Sequence, residues 1–423
     1  MADRTGRGGA AAWRPPSDRL DPVLRLEQFA MSRDRDVMPV RFAEMTTSPL
    51  AFNRGSDMIM ASDLALGHVS GLRAQLCGDA HVSNFGLFLN AAETAVFDLH
   101  DFDETLPGPW EWDVKRLAVS LEVAARESPA TAVMRRNIVR AAIDAYAATM
   151  RTFAGAPYLK VLYSRVPPPR IGSAVAQTEP LDRRARRAPR MLTSPPQFNR
   201  IDDLMPADEA ALVFGQTVLD LAAYERTLAD DRKSMLDRFE LRDMATELGD
   251  IPSIGLHTNL LLMVEKETAR PLLLQLREAR RSILEALAGR SRYPQAGRRV
   301  VEGMRLIKSQ VDVLLGAVRA PATDGTVRDY YVRQWPRPAE IWEPDRLPAP
   351  ELRALGQACA TFLARAHALS GDRVAIASYV GSSIAFPDAI ETFATSYADQ
   401  NLRDYESFLA AVERGRIIVR NAA

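Results

Sequence analysis

Acidic, amide and histidine side chains that suit phosphate and metal chemistry are concentrated in residues 78–113. The run opens with Gly78-Asp79-Ala80-His81 and Asn84, and a second acidic group follows at Asp98, Asp101, Asp103 and Glu104. Carboxylate and amide oxygens are the ligands that Mg²⁺ and Mn²⁺ prefer, because phosphate oxygens and water complete their coordination shells. Acids so closely spaced repel one another unless a cation or an arginine neutralises them. The segment therefore predicts an Mg²⁺ or Mn²⁺ site.

A β-hairpin is the element that must position these side chains. Gly78 permits a tight turn, which places Asp79, His81 and Asn84 on one irregular loop. The apolar stretches 85–89 and 94–99 predict two antiparallel strands joined by a turn at 90–92, and the second strand delivers Asp98. Oxygen ligands are therefore gathered at one end of the hairpin.

Several of these residues also fit a purely structural role. His81 is compatible with a hydrogen-bonded loop histidine. Asp103 and Glu104 are typical of a solvated turn before Pro107-Gly108-Pro109, and Asp101 fits either role. Asp79 and Asp98 favour the functional interpretation.

The spacing Gly-Asp-x-His-x-x-Asn, followed by an apolar strand and Asp, resembles the catalytic loop and metal-binding Asp of aminoglycoside- and choline-kinase-like phosphotransferases. The resemblance implies that Asp79 orients or deprotonates an acceptor hydroxyl, with His81 as a second catalytic residue. Asn84 and Asp98 would hold the metal, and Asp101 is included in the same ligand set.

Two further residues are expected to support this loop. On the same resemblance, Asp113 in the stretch EWDVKRLA matches a structural Asp that braces the catalytic loop. Arg54 in FNRG either binds a phosphate or acidic substrate or pairs with one of the clustered acids, and we favour the pairing.

The chain is also similar to a bacterial family known as domain of unknown function 2252 (DUF2252). The resemblance covers most of residues 35–405 and implies no established substrate. It is carried by the stretches SPLAFNRG at 48–55, CGDAHVSNFG to PWEWDVKRLA at 77–118, RRVVEGMRL at 298–306, YYVRQ at 330–334, LARAHALSGD at 363–372 and YADQ at 397–400.

A kinase also needs a phosphate-covering loop and a strand Lys held by a helix Glu, and these normally precede the catalytic loop. Here the candidates follow it: Ser253 and Gly255 in the loop, Arg277 on a strand and Glu302 on a helix. These four residues are the predicted sites for ATP or another nucleotide. The predicted fold is therefore α+β and protein-kinase-like, with two lobes in circularly permuted order.

The nucleotide segment departs from the family pattern. Asp250 and Pro252 occupy the first two positions of a Gly-rich loop, and Arg277 stands in place of Lys. Pro lacks a backbone N–H, Asp adds a repelling charge, and a forked guanidinium is not equivalent to an ammonium. Weakened or altered nucleotide binding is therefore expected.

The expected organisation is a helical lobe interrupted by a smaller mixed unit. Residues 1–20 predict a disordered lead. Residues 21–245 predict the helical lobe, which includes the hairpin region 75–118, a basic loop insert at 165–200, and helices from 207 to 248. Residues 246–335 predict a small α+β unit, with strands at 256–264, 271–278, 311–318 and 329–334. Residues 336–423 predict helices that complete the helical lobe.

Composition narrows the functional classes. Lys plus Arg equals Asp plus Glu at 54 each, which gives no global reason to expect nucleic acid or a membrane as partner. The two cysteines, Cys77 and Cys359, form no disulfide framework or zinc spacing, and no apolar run approaches the roughly 20 residues of a membrane span. We expect a cytoplasmic protein.

Three functions are compatible with these features. The first is a metal- and nucleotide-dependent phosphotransferase or nucleotidyl transferase that acts on an unknown hydroxyl acceptor. The second is a pseudokinase-like nucleotide-binding protein with little turnover. The third is a metal-dependent phosphohydrolase built from the Asp/His cluster. The oligomeric state is not determined by the sequence.

Overall fold

The structure, a computed structural model, describes residues 13–31, 33, 38–89, 94–171, 198–200, 207–247, 258–321, 326–335, 338–381 and 384–420. Within these ranges the protein is a mixed α+β fold, which confirms the predicted class at that level. The helices are α1 Pro22–Met31, α2 Met38–Met45, α3 Pro49–Gly55, α4 Asp57–Ala65, α5 Glu111–Glu127, α6 Ala132–Ala154, α7 Tyr158–Leu162, α8 Ala207–Glu225, α9 Asp230–Leu236, α10 Glu285–Ala288, α11 Ala296–Ile307, α12 Ala349–Ser370, α13 Arg373–Val380 and α14 Ala385–Glu413.

The strands form three antiparallel sheets. One pairs β1 with β4, a second has the order β11-β2-β3, and the third has six strands in the order β5-β6-β7-β8-β10-β9. The strands are β1 Arg73–Leu76, β2 Phe85–Leu89, β3 Ala95–Leu99, β4 Leu106–Pro109, β5 Phe198–Arg200, β6 Phe239–Glu247, β7 Thr258–Glu265, β8 Pro271–Ala279, β9 Gly316–Pro321, β10 Val327–Gln334 and β11 Pro338–Glu340.

A bundle built around α5 forms the larger core. This helix is buried on nearly every side, and its residues between Trp112 and Ala125, including the polar Asp113 and Arg116, lie against α6, α12 and α14. A helix in the interior of a bundle can carry polar side chains only where other elements provide hydrogen-bond partners for them. The α5 helix begins directly after β4, so the bundle fixes the position of the segment that follows the hairpin.

The six-stranded sheet has one apolar face, and its other face, called the polar face below, carries polar side chains beside an apolar patch of Ala245, Leu260 and Leu262. Side chains alternate across a strand, so Leu276 and Val332 point to a cluster that includes Tyr224 of α8. On the other face, Arg277 lies opposite Tyr331, and β10 carries Arg333 on that same face. The polar face therefore presents two guanidinium groups.

Helix α11 connects the sheet to the bundle. It follows β8 in the chain and packs against β8, β9, β10 and α12. At its C-terminal end, the Ile307 carbonyl accepts a hydrogen bond from Arg365 of α12, whose other nitrogens donate to the Leu162 and Ser164 carbonyls. Arg365 is 2% exposed, so this junction between the two parts is buried.

Several predicted elements are confirmed. The strands predicted at 85–89 and 94–99 are β2 and β3, paired from Phe85–Leu99 to Leu89–Ala95. The strands predicted at 256–264 and 271–278 are β7 and β8, and the strand predicted at 329–334 is part of β10. The predicted turn at 90–92 lies outside the described residues.

The prediction of helix up to residue 248 was wrong for its last part, because β6 occupies Phe239–Glu247. This stretch contains good helix formers such as Glu240, Leu241 and Met244, yet pairing with β5 and β7 overrides that local preference. The expected boundary at residue 246 therefore falls inside a strand. The strand expected at 311–318 begins only at Gly316.

Among the helices of the described ranges, none has the length and apolar character needed to cross a bilayer.

Candidate functional site

The loop that carries Asp79 is held in place by backbone hydrogen bonds to Asp113 at the start of α5. Asp113 accepts from the backbone N–H of Cys77 at 2.7 Å and of Gly78 at 3.2 Å. His367 lies on the other side of the same carboxylate, with Nε2 3.2 Å from Oδ2. This carboxylate therefore joins the backbone at Cys77 and Gly78 to α5 and to His367 of α12.

Gly78 is required by the shape of this loop. Its φ of +98° lies in the left-handed region, and a Cβ there would be 2.3 Å from the Glu104 carbonyl carbon. The loop and the segment 101–104 are therefore in direct backbone contact.

Asp79 is buried and paired with an arginine. Arg116 of α5 donates from Nε to Asp79 Oδ1 at 2.8 Å, and its other nitrogens bind the side chain and carbonyl of Asn53. Burial raises the pKa of Asp79, while the Arg116 guanidinium partly offsets this. A raised pKa makes a carboxylate a stronger proton acceptor.

His81 lies beside Asp79 in surroundings that disfavour the protonated imidazole. Its Nε2 is 3.6 Å from Asp79 Oδ2. Burial, together with the charges of Arg116 and Arg54, lowers the pKa of His81 well below its ordinary value. Arg54 makes no ion pair with any residue that the structure describes, so the pairing favoured from the sequence is not observed.

Asn84 joins the Asp79 loop to the acids that follow β3. Its Nδ2 donates to the Asp79 carbonyl at 2.9 Å and to the Asp101 carbonyl at 3.3 Å, and its Oδ1 accepts from the Asp101 N–H at 2.9 Å. Asp79 and Asp101 are thus held at a fixed separation by one amide.

Arg277 brings the polar face of the sheet to these acids. Its Nη2 is 2.9 Å from Asp101 Oδ2 and 2.5 Å from Asp103 Oδ2, and Tyr331 donates to Asp103 Oδ1 at 3.3 Å. Burial opposes ionisation of both acids. The pKa of Asp101 is nevertheless lowered, chiefly by Arg277, whereas the pKa of Asp103 is raised by burial and by the neighbouring Asp101.

Asp98 lies in a different environment from the other predicted metal ligands. Its Oδ2 is 3.8 Å from Lys308 Nζ, and it lines a separate cavity with that lysine. Asp79, Asp101 and Asp103 instead line a narrow cavity of about 20 Å³, room for about one water. The structure therefore groups Asp101, rather than Asp98, with Asp79 and Asn84.

Of the four residues predicted to bind a nucleotide, the structure places only Arg277 at the acidic cluster. Ser253 and Gly255 lie outside the described residues. Glu302 of α11 is half-buried and pairs with Arg305 on its own helix at 3.2 Å. The same helix sends Arg299 inward, where it donates to the carbonyls of Thr105 and Asp103. The ion-pair partners of Arg277 are thus Asp101 and Asp103, which follow the hairpin, whereas Glu302 pairs with Arg305.

The acids around Asp79 and Asp101 limit how this cluster could hold a metal. Within the described ranges, no group of three His, Cys, Asp or Glu side chains converges as a metal cage. A cation held mainly by phosphate and water needs only one or two protein carboxylates. Asp101 and Asp103 fit that requirement, because each carboxylate has more acceptor positions than its present partners use.

Arg116 and Arg299 were not predicted from the sequence to belong to the site. A signal existed for Arg116, since it lies three residues after Asp113 and therefore on the same face of a helix. For Arg299 the sequence offered only the amphipathic pattern of its helix, which does not tell a buried guanidinium from a solvated one.

These features define an α+β protein with a buried carboxylate–arginine cluster between a hairpin and an antiparallel sheet. The chain belongs to the DUF2252 family, described as an uncharacterized protein conserved in bacteria, whose model matches residues 33–411. This confirms the family resemblance. Comparison with curated proteins and with solved structures found no match.

Replacing Gly78 by Ala is expected to destabilise the protein by about 2 kcal/mol or more, because the backbone is strained and the Cβ overlaps Glu104. Urea denaturation measures the change. Gly155→Ala is the control, since a Cβ there meets nothing within 4 Å. Equal stabilities of the two variants would contradict the loop geometry.

The raised pKa of Glu104 predicts that the stability of the protein depends on pH. Burial, followed by the charge of Asp57, raises its pKa from 4.5 to about 7. The folded state therefore binds this proton more tightly than the unfolded state, so stability falls as pH rises from 4.5 through 7. Glu104→Gln keeps an acceptor for Ser282 and Ile283, which both bind Glu104 Oε2.

The Glu104→Gln variant is expected to lose this decline and to be more stable than the parent protein at pH 8, by up to about 3 kcal/mol. Urea midpoints at pH 5 and pH 8 measure it, with Glu267→Gln in an exposed turn as the control. Parallel pH profiles for parent and variant would show that Glu104 is not responsible.

Proposed function

We propose that the protein is a kinase-like phosphotransferase, or a nucleotidyl transferase, that uses a divalent cation and a nucleotide and acts on a hydroxyl acceptor. The proposal includes a two-lobe, circularly permuted arrangement, in which the sheet unit that follows the catalytic loop supplies the nucleotide side. We place this activity in the cytoplasm, because Cys77 and Cys359 are both free and buried.

The contact of Arg277 with Asp101 carries the proposal. In kinases a basic residue on a strand reaches the phosphates, and an Asp after the catalytic loop holds the metal beside them. Here the strand cation and the acids after the hairpin meet at 2.9 Å. Two segments far apart in sequence thus bring together the charges that phosphoryl transfer requires.

Each residue has a distinct task on this proposal. Asp79, with its raised pKa, accepts the proton of the acceptor hydroxyl or orients that hydroxyl. Asn84 keeps Asp79 and Asp101 at their separation, and Arg277 neutralises phosphate charge. Asp101 and Asp103 would hold Mg²⁺ or Mn²⁺, which when bound neutralises charge on the phosphates.

The order of elements supports the permuted arrangement. Strands β6 and β7 flank the segment predicted to cover the phosphates, β8 carries Arg277, and α11 follows after the short helix α10. A kinase places its phosphate loop, strand Lys and helix in the same sequence. The departure is that acids of the hairpin segment, rather than Glu302, contact the strand cation.

One observation favours the second candidate, a pseudokinase-like binding protein. Arg277 and Arg116 already neutralise Asp101, Asp103 and Asp79, so the repulsion that would require a cation is reduced. A nucleotide could then bind through Arg277 without turnover.

Thermal stability with Mg²⁺, ATP, and both together separates the two candidates. The phosphotransferase predicts stabilisation by both together, of about 2.7 kcal/mol at a hundredfold excess over Kd, and slow release of phosphate or ADP. Stabilisation by ATP alone, with no turnover, supports the second candidate. No response to any combination would reject both.

Asp101→Asn is expected to weaken Mg·ATP binding at least tenfold, since the carboxylate facing Arg277 is lost. Asp98→Asn is expected to weaken it less, because Asp98 faces another cavity. Asp144→Asn, on the surface of α6, is the control. The reverse order of effects would show that Asp98 is the functional carboxylate.

A further inference from the structure

A second cavity, of about 380 Å³, lies away from Asp79. It is bounded by the β2–β3 hairpin, by the connection between α11 and β9, and by the end of β10. Sites for small organic ligands have volumes of a few hundred cubic ångströms and above, so this cavity is large enough for one. Asp98, a metal ligand on the phosphotransferase resemblance, lies in its wall, but the function proposed above gives the cavity no role.

Apolar and aromatic side chains form most of its walls. The hairpin contributes Phe88, which stacks on His100 with ring centroids 5.7 Å apart and an interplanar angle of 10°. Trp335 closes the side at the end of β10. Aliphatic residues complete the lining: Leu89, Val96, Leu99, Val311, Val313 and Leu315. Such walls favour the faces of a ring.

Two polar groups at the cavity are buried without hydrogen bonds. Arg333 donates from Nε to Gln275 and from Nη1 to the His100 carbonyl, but its Nη2 has no partner among the described residues. The Oε1 of Gln310 is likewise buried and unpaired within those ranges. An unsatisfied buried polar group costs about 1–3 kcal/mol, so each gains from a ligand that completes it.

The charged side chains of the lining balance one another, since Asp98 and Asp312 oppose Lys308 and Arg333. Lys308 is paired with Asp98 at 3.8 Å and donates to the Leu99 carbonyl at 3.2 Å. Asp312 accepts from the backbone N–H groups of Leu314 and Gln334. These charges are therefore met within the protein, and Arg333 Nη2 and Gln310 Oε1 are the lining atoms that are buried without a partner among the described residues.

We propose that this cavity binds a small heteroaromatic molecule, with a ring acceptor on Arg333 and a ring donor on Gln310. A nitrogen heterocycle carries both groups at its edge and presents apolar faces to Phe88 and Trp335. The proposal requires no phosphotransfer and no metal, so it stands or fails separately from the function proposed above.

Isothermal titration calorimetry with adenosine, guanosine and lumichrome tests the proposal. All three are uncharged heteroaromatic probes without phosphate, so they do not report on Arg277 and Asp101. At least one is expected to bind the unaltered protein. Absence of binding by all three would overturn the proposal and show that the cavity is merely hydrated.

Two variants locate the binding. Gln310→Ala removes the acceptor and is expected to weaken binding about tenfold. Val313→Trp places a large ring in the cavity from a position that is 39% exposed, and is expected to abolish binding without disturbing the core. Val133→Trp, at an exposed position of α6, is the matched control and should bind the probe as the parent protein does.

Circular dichroism and thermal denaturation establish that each variant is folded. Val311→Trp, also at 39% exposure on the cavity wall, replaces Val313→Trp if the latter fails to fold. Binding that survives both a tryptophan in the cavity and Gln310→Ala would overturn the proposal, because the probe would then lie elsewhere.

Discussion

The buried ion pair of Arg277 with Asp101 and Asp103 is the interaction on which the rest of the site depends. Removing charges from water is costly, and the cost is recovered only with close geometry and further hydrogen bonds. Arg277 is 3% exposed and meets both carboxylates, while Tyr331 adds a third contact. Arg299 and Arg333 bind the carbonyls of residues 100, 103 and 105. Three arginines, on β8, β10 and α11, thus bind the short acidic segment 100–105.

The helical bundle holds the same region from the other side. Asp113 fixes the backbone at Cys77 and Gly78, and Arg116, one turn further along α5, fixes the Asp79 side chain. Asn84 then connects the Asp79 loop to Asp101. Because Gly78 lies against the Glu104 backbone, a displacement of either segment is transmitted to the other. These hydrogen bonds each join two different elements, so the Asp79 loop, the acidic segment and α5 are held to one another.

The hairpin and the main helices were predictable from sequence because their apolar periodicity is local. The sequence also placed Asp79, Asn84 and Asp101 in one short region. It did not determine which acid points where, since the chain bends after β3 and sends Asp98 towards Lys308 while Asp101 meets Arg277. Strand β6 was missed because its residues favour a helix locally, whereas pairing with β5 and with the following strand β7 makes it a strand. The local sequence pattern does not show which side chains from distant segments will meet.

A double-mutant cycle between Arg277 and Asp101 tests the central claim most directly. Free energies of unfolding are measured in urea for the parent protein, Arg277→Met, Asp101→Asn and the double variant. A buried pair in contact predicts a coupling energy of about 1.5 kcal/mol or more. Additive effects, within about 0.3 kcal/mol, would show that the sheet and the hairpin do not meet through these residues.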